Sequence, residues 1–335
     1  MSVAMSRRSF LSGVVLAGTA RTAAAQSSSR LPTIGYLSFG PVERGGLAGS
    51  HEGFLVGLRE LGYVPGQNVA IEYRHASGRV ENLTQVAREL LDLKVEVILA
   101  VGAKDVDALL NLTRAVPIVT VYISDPVGLG YAESLAHPGR NVTGVTTLAG
   151  DLTVKWLEIL KELRPGLTRV GVLWDVGMGP PTLMDTGNWR PEQAFRAAGL
   201  RRHSMPVGDA NDLSPVFEAA RREGVGAVLL GPSSGVLRAQ LTRVAELAIK
   251  HRWPSVADLP VYSEGGVLVA YGAEMYDLFR RAAIHVFQIL RGIRPGDIPF
   301  EQPTKFTLVA NMTTARALEL ELPQSLVLRA ERLYR

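Results

Sequence analysis

Residues 33–40 read TIGYLSFG, and residues 169–177 read RVGVLWDVG. Each is a short apolar run that ends at a small polar residue or a carboxylate and then reaches a glycine. Such a run predicts a buried strand leading into a turn. Four landmarks repeat in the same order: Gly35 to Gly171 spans 136 residues, Gly62 to Gly199 spans 137, Val97 to Val228 spans 131, and Pro117 to Pro254 spans 137. Near-constant offsets predict two similar lobes.

The stretches between the landmarks fill in both lobes. After the first run, GFLVGLRELG (53–62) has helical spacing and a glycine stop, and NVAIEYR (68–74) reads as a strand. ENLTQVARELLDL (81–93), VEVILAVG (95–102), AKDVDALLNLT (103–113) and VPIVTVYISDP (116–126) then read as helix, strand, helix and strand. QAFRAAGLRRHSM (193–205), VGAVLLGPSSGVLRAQL (225–241) and WPSVADLP (253–260) repeat that alternation. Strands separated by helical segments predict an α/β chain with parallel sheets covered on both faces. Lobe 1 is placed at 31–145 and lobe 2 at 146–272. The segment GGVLVAYGAEMYDLFRRAAIHVFQILRG (265–292) adds a strand and a long helix. The helix, 273–292, has no counterpart in the first set and is assigned to a return to lobe 1, which makes a hinge of several strands. Residues 300–335 fit either lobe.

The amino terminus reads MSVAMSRRSFLSGVVLAGTARTAAAQ. Arg7 and Arg8 precede an apolar run of 11 residues from Phe10 to Ala20, and three alanines follow. That run is too short to span a bilayer, and the pattern is that of a secretory signal peptide, residues 1–25, cleaved near Ala25. Adjacent arginines before Phe10-Leu11 resemble a twin-arginine signal; an ordinary Sec signal is the alternative. The chain has no cysteine, so neither a disulfide nor a lipidated cysteine is available. Its net charge is +4, but without Arg7, Arg8 and Arg21 it carries 33 basic against 32 acidic residues. Neither that balance nor any basic run suggests nucleic acid. A soluble periplasmic protein is expected.

Ligands of open parallel sheets bind beyond the carboxyl ends of the strands. In lobe 1 those ends carry Ser38 and Phe39, Ala103 and Lys104, and Ser124 and Asp125; in lobe 2 they carry Asp175, Ser233 and Ser234, and Asp258. Hydroxyls, amides and carboxylates facing each other across a cleft suit a small zwitterion or polyol. Each Ser or Asp alone is equally readable as a helix cap. Pro126 biases Asp125 away from helix, which predicts a carboxylate pointing into the cleft.

Gly231-Pro232-Ser233-Ser234-Gly235 fits G-x-S-x-G, with Asp258 and His285 following in hydrolase order, but His285 falls in mid-helix. Gly128-Leu129-Gly130 lacks the third glycine of a dinucleotide fingerprint. The six histidines show no metal-ligand spacing. No cofactor, metal or catalytic residue is expected.

With those residues in view, the chain resembles the substrate-binding proteins of ABC importers, and within them the bacterial group with tryptophan- and tyrosine-binding members. The segments that carry the resemblance are IGYLSFG (34–40), GLRELGYVPGQNVAIEYRHASGR (57–79), SDPVGLGYAESLAHPGRNVTGVT (124–146), KWLEILKELRP (155–165), GGVLVAYG (265–272) and QPTKFTLVANMTTARALELELP (302–323). The resemblance implies a type I periplasmic-binding fold, two doubly wound lobes that close on a small-molecule ligand and deliver it to an ABC permease, acting as a monomer. It adds Asn141 and Thr143 to the expected ligand set. Two turns depart from the family pattern. Ala103-Lys104-Asp105 stands where many relatives have Thr-Pro-Ala, and DVGMGPPTLMDTGNW follows Trp174. Both departures put an aromatic amino acid in doubt as the ligand. Lys104 is readable either as a solvated surface lysine or as a partner for an external carboxylate. An exported sensory binding protein and a serine hydrolase using Ser233 are the alternatives.

Overall fold

The computed structural model describes residues 30–40, 48–147, 149–176, 191–231 and 235–335. Residues 32–335 form one compact unit built on two sheets. The first sheet contains β1 (Thr33–Ser38), β2 (Ala70–His75), β3 (Val97–Val101), β4 (Ile118–Ile123) and β5 (Val142–Thr146). All five strands are parallel, in the order β2-β1-β3-β4-β5. Their central strands are continuous apolar runs because helices cover both faces and leave no polar side. Those helices include α1 (Ala48–Glu60), α2 (Val80–Asp92) and α3 (Ala103–Leu110).

Helix α4 (Ala149–Leu163) leads into the second sheet, and its fully buried Trp156 donates its indole N–H to the Tyr271 carbonyl at 2.7 Å. The second sheet begins with β6 (Arg169–Asp175), β7 (Arg201–Val207), β8 (Ala227–Leu230), β9 (Ser255–Ala257) and β10 (Val269–Ala273). Its order, β7-β6-β8-β9-β10, repeats that of the first sheet strand for strand. Gly35 and Gly171 occupy equivalent places on β1 and β6, each paired to both neighbouring strands. A Cβ at Gly171 would fall on the Met205 sulfur, so the glycine lets β6 lie beneath that side chain. Helices α5 (Pro191–Ala197), α6 (Leu213–Arg222), α7 (Gly235–Ala239) and α8 (Leu241–Lys250) connect these strands.

The chain then leaves the second sheet. Helix α9 (Met275–Leu290) packs on α1 of the first. Gly53 and Gly57 lie one turn apart on α1, and a Cβ on either would strike an α9 carbonyl, Tyr276 or Arg280. The two backbones meet closely because both positions lack side chains. The segment after α9 runs along β5. Glu301 forms a parallel bridge to Val145, its N–H donates to Gly144 O, and its carbonyl accepts from Thr146 N–H.

From Glu301 the chain re-enters the second sheet as β11 (Phe306–Asn311), followed by α10 (Met312–Ala317), α11 (Gln324–Arg329) and β12 (Arg332–Tyr334). Strand β11 is antiparallel to β10, with Ala273 opposite Phe306 and Val269 opposite Ala310. The second sheet is therefore mixed and carries seven strands, whereas the sequence predicted a parallel one. The reason is the path. The chain left β10 at its carboxyl end and returns from the first lobe at that same end, so it must run back down the sheet. Connections between the sheets thus occur three times, before α4, before α9 and before β11. Among the described residues no helix is long and apolar enough to cross a membrane.

Candidate functional site

The order 2-1-3-4-5 has its switch point between β1 and β3, and its repeat has one between β6 and β8. The site is built from what these strand ends carry. Ser38 ends β1; it is buried, and its hydroxyl donates to the Gly40 carbonyl at 2.6 Å, which shapes the turn. Phe39 follows, and the Lys104 ammonium lies 4.3 Å from the centre of its ring. Ala103 opens α3, and its carbonyl accepts from the Tyr131 hydroxyl at 3.2 Å. Lys104 Nζ is buried and makes no hydrogen bond among the described residues. Burial lowers its pKa, while Asp175 on the other sheet and Asp105 beside it push the other way. Asp105 is wholly buried, and burial holds its carboxyl well above the usual carboxylate range. Neither Asp105 oxygen makes a full hydrogen bond, although the Phe39 and Val101 amides and Lys104 lie close enough to oppose that rise.

The second sheet supplies the facing wall. Asp175 ends β6, is buried, and accepts from the Val236 N–H at 3.2 Å. Two residues on, Arg238 sits on α7; burial opposes its charge, but Tyr262, Tyr122 and Asp258 around it outweigh burial and raise its pKa. Asp258 directly follows β9. Burial pushes its pKa up to about 7, against its own and the Leu259 amides, the Tyr122 hydroxyl and Arg238. Its Oδ2 accepts from the Tyr122 hydroxyl at 3.3 Å, and its Oδ1 makes no hydrogen bond. That bond joins β4 of one sheet to the end of β9 of the other. Tyr122 holds φ +62°, a strained value for a bulky side chain, where the β4–β5 register shifts. A Cβ at Gly272 would fall on the Asp258 carbonyl oxygen, so Gly272 is what lets that loop approach β10.

The structure gathers Phe39, Lys104, Asp175 and Asp258 around this crevice, and it adds Tyr122, Arg238 and Tyr262, which the sequence reading missed. Signals pointed to the first two: a tyrosine one residue before the last position of a buried strand, and an arginine one turn after the Ser233-Ser234 strand end. Ser124 follows β4 at the same end and is half-buried. Ser233 and Ser234 lie outside the described residues.

Asn141 and Thr143 are a correction. Asn141 stands before β5, at the amino end of the sheet, where its Nδ2 donates to Val116 O at 2.9 Å. Thr143 is opposite Val119, near the start of β4, and its hydroxyl donates to Ile298 O at 2.7 Å. In a parallel sheet the start of every strand faces away from the crevice. Asp125 also differs from expectation: its Oδ1 accepts from Gly128 N–H at 2.8 Å and closes the turn that follows. The hydrolase alternative lacks its central hydrogen bond. The His285 ring nitrogens face the Arg281 carbonyl at 3.4 Å and the Pro299 carbonyl at 3.2 Å, and Asp258 takes Tyr122 instead.

A family model described as ABC transporter substrate binding protein matches residues 39–333. The tyrosine-binding protein of Clostridioides difficile (strain R20291) is 25% identical over 282 residues, 84% of this chain and 79% of that one. A conserved domain protein from Vibrio cholerae O1 biovar El Tor strain N16961 superposes with a TM-score of 0.81 at 23% identity, covering 91% of this chain and 100% of that one. An ABC domain in complex with L-Trp from Streptococcus pneumonia gives a TM-score of 0.80 at 21% identity, with coverage of 91% and 100%. These superpositions agree with the two repeated sheets: the fold is that of the type I periplasmic binding proteins.

Proposed function

Because this chain belongs to the family of ABC transporter substrate-binding proteins, we propose that it captures a small ligand, an amino acid or another small carboxylate, between its two sheets and delivers it to a membrane permease. One observation carries the ligand class. The crevice brings cations and carboxyl groups together, Lys104 on the first sheet and Asp175, Arg238 and the Asp258 carboxyl on the second. Cations and carboxyl groups drawn from both sheets suit a zwitterion, whose two ends would bridge the lobes and hold them closed. The names of the relatives, one tyrosine-binding and one solved with L-Trp, lean the same way. The protein would act as an extracytoplasmic monomer, exported by its amino-terminal segment and using neither cofactor nor catalytic residue.

A thermal-shift screen of the L-amino acids and small carboxylates tests the reading. A ligand at a hundredfold excess over Kd stabilises the folded state by about 2.7 kcal/mol. A screen in which no amino acid raises the melting temperature would remove the amino-acid assignment.

A further inference from the structure

Lys104 is an anomaly in this molecule. Its side chain is half-buried on the first turn of α3, just beyond the switch point where ligands of this sheet order bind. Its ammonium is buried and has three N–H donors, none of which is used among the described residues. Burying an unbonded ammonium is unfavourable, and a lysine kept for stability is either paired or left in water. Among the described residues Lys104 is neither: Asp175 and Asp105 act on it through space, but no carboxylate there is close enough for an ion pair. The Phe39 ring beneath it holds the ammonium in place by a cation–π contact. No side chain caps the first turn of α3.

We propose that Lys104 sets the ligand class of this cleft: its ammonium receives a carboxylate of the ligand, and the chain therefore selects carboxylates over their amides. A carboxylate there satisfies the idle donors with charge-assisted bonds. The inference rests on the binding-protein reading above for the existence of a ligand, but not on that ligand being an amino acid.

The test is calorimetry on the purified protein, its Lys104→Met variant, which keeps the aliphatic stem, and its Lys104→Arg variant, which keeps the charge. The probes are matched pairs: L-tyrosine with L-tyrosinamide, L-leucine with L-leucinamide, and benzoate with benzamide. For the pair that binds, the wild type should prefer the acid by about tenfold or more. Lys104→Met should weaken the acid by about 10- to 150-fold, bring the acid-to-amide ratio near one, and leave the amide almost unchanged. Lys104→Arg should keep the preference. Melting curves of the empty proteins guard against misfolding: Lys104→Met should melt at least as high as the wild type, whereas a structural lysine would lower it. Equal affinity of Lys104→Met and wild type for the acid, or an equal loss for acid and amide, overturns the proposal. If only benzoate binds and the methionine variant loses it, the amino-acid assignment falls while the role of Lys104 stands. If no acid in the set binds the wild type, the role of Lys104 falls too.

Discussion

Replacing Asp258 with asparagine should change how stability depends on pH, because burial moves the carboxyl from 3.8 to about 7. The sign follows from proton binding. Between about pH 4 and pH 7 the folded chain keeps this proton while the unfolded chain has released it, so stability falls as pH rises through that window and is flat above it. Each pH unit of the gap is worth about 1.4 kcal/mol, which gives about 4 kcal/mol in all. Asparagine keeps the shape and an oxygen for the Tyr122 hydroxyl but cannot ionise. At pH 8 Asp258→Asn should therefore be more stable than the wild type by up to about 4 kcal/mol. At roughly 2 cal/mol/K per residue over about 300 residues, that is a gain of about 6 °C in melting temperature. At pH 4 the two proteins should melt within about 2 °C of each other. His203, His251 and His285 have lowered pKa values through burial and slope the opposite way, gaining stability as pH rises. They do so in both proteins, so the difference between the two melting curves isolates Asp258. The measurement is calorimetric melting of ligand-free protein from pH 4 to 8. Parallel profiles for wild type and variant would refute the reasoning.

Tyr122→Phe removes the donor to Asp258 Oδ2 and should cost about 1–3 kcal/mol, read as a lower melting temperature of the empty protein. Thr143→Val loses the bond to Ile298 O and should cost about 1 kcal/mol by denaturant unfolding, with ligand affinity unchanged because it lies at the far end of the sheet. Asp125→Asn weakens the closure of the turn at Gly128 and should lower stability by about 1 kcal/mol, again with unchanged calorimetric affinity. Gly272→Ala drives a methyl group into the Asp258 carbonyl, and the soluble yield of folded protein should collapse.

Much of this architecture was legible because its strands are buried on both faces. A strand such as VILAV (β3) must be apolar throughout, so it stands out from the helices around it. Gly35 and Gly171 kept their spacing because both lobes use the same strand order. The direction of β11 was not legible, since its residues would look the same run either way; only the route through α9 decides it. The site divides along similar lines. Position after a strand end puts Lys104, Asp175 and Asp258 at the crevice. Asn141 and Thr143 came from family resemblance alone, and they misled because a hydroxyl or amide in a recurring motif can as easily build the scaffold. The motif around residues 302–323 makes the same point: Asn311 accepts from Thr314 N–H at 2.9 Å, donates to Ser263 O at 2.8 Å, and so starts α10. Tyr122 was missed because its backbone conformation, not its type, aims it across the cleft.

The three connections between the sheets also order the molecule in time. Ribosomes make the first sheet early, yet the face of α1 around Gly53 and Gly57 has nothing to pack on until α9 emerges, and β5 waits for Glu301. At 5–20 residues per second, roughly 150 further residues take about 10–30 s to synthesise. Over that interval the early lobe stays unfinished while the strands β6 to β10 are being made. The lobe begun first thus waits until most of the second has been made, and a nascent chain stalled before residue 275 exposes an apolar helix face that chaperones would hold.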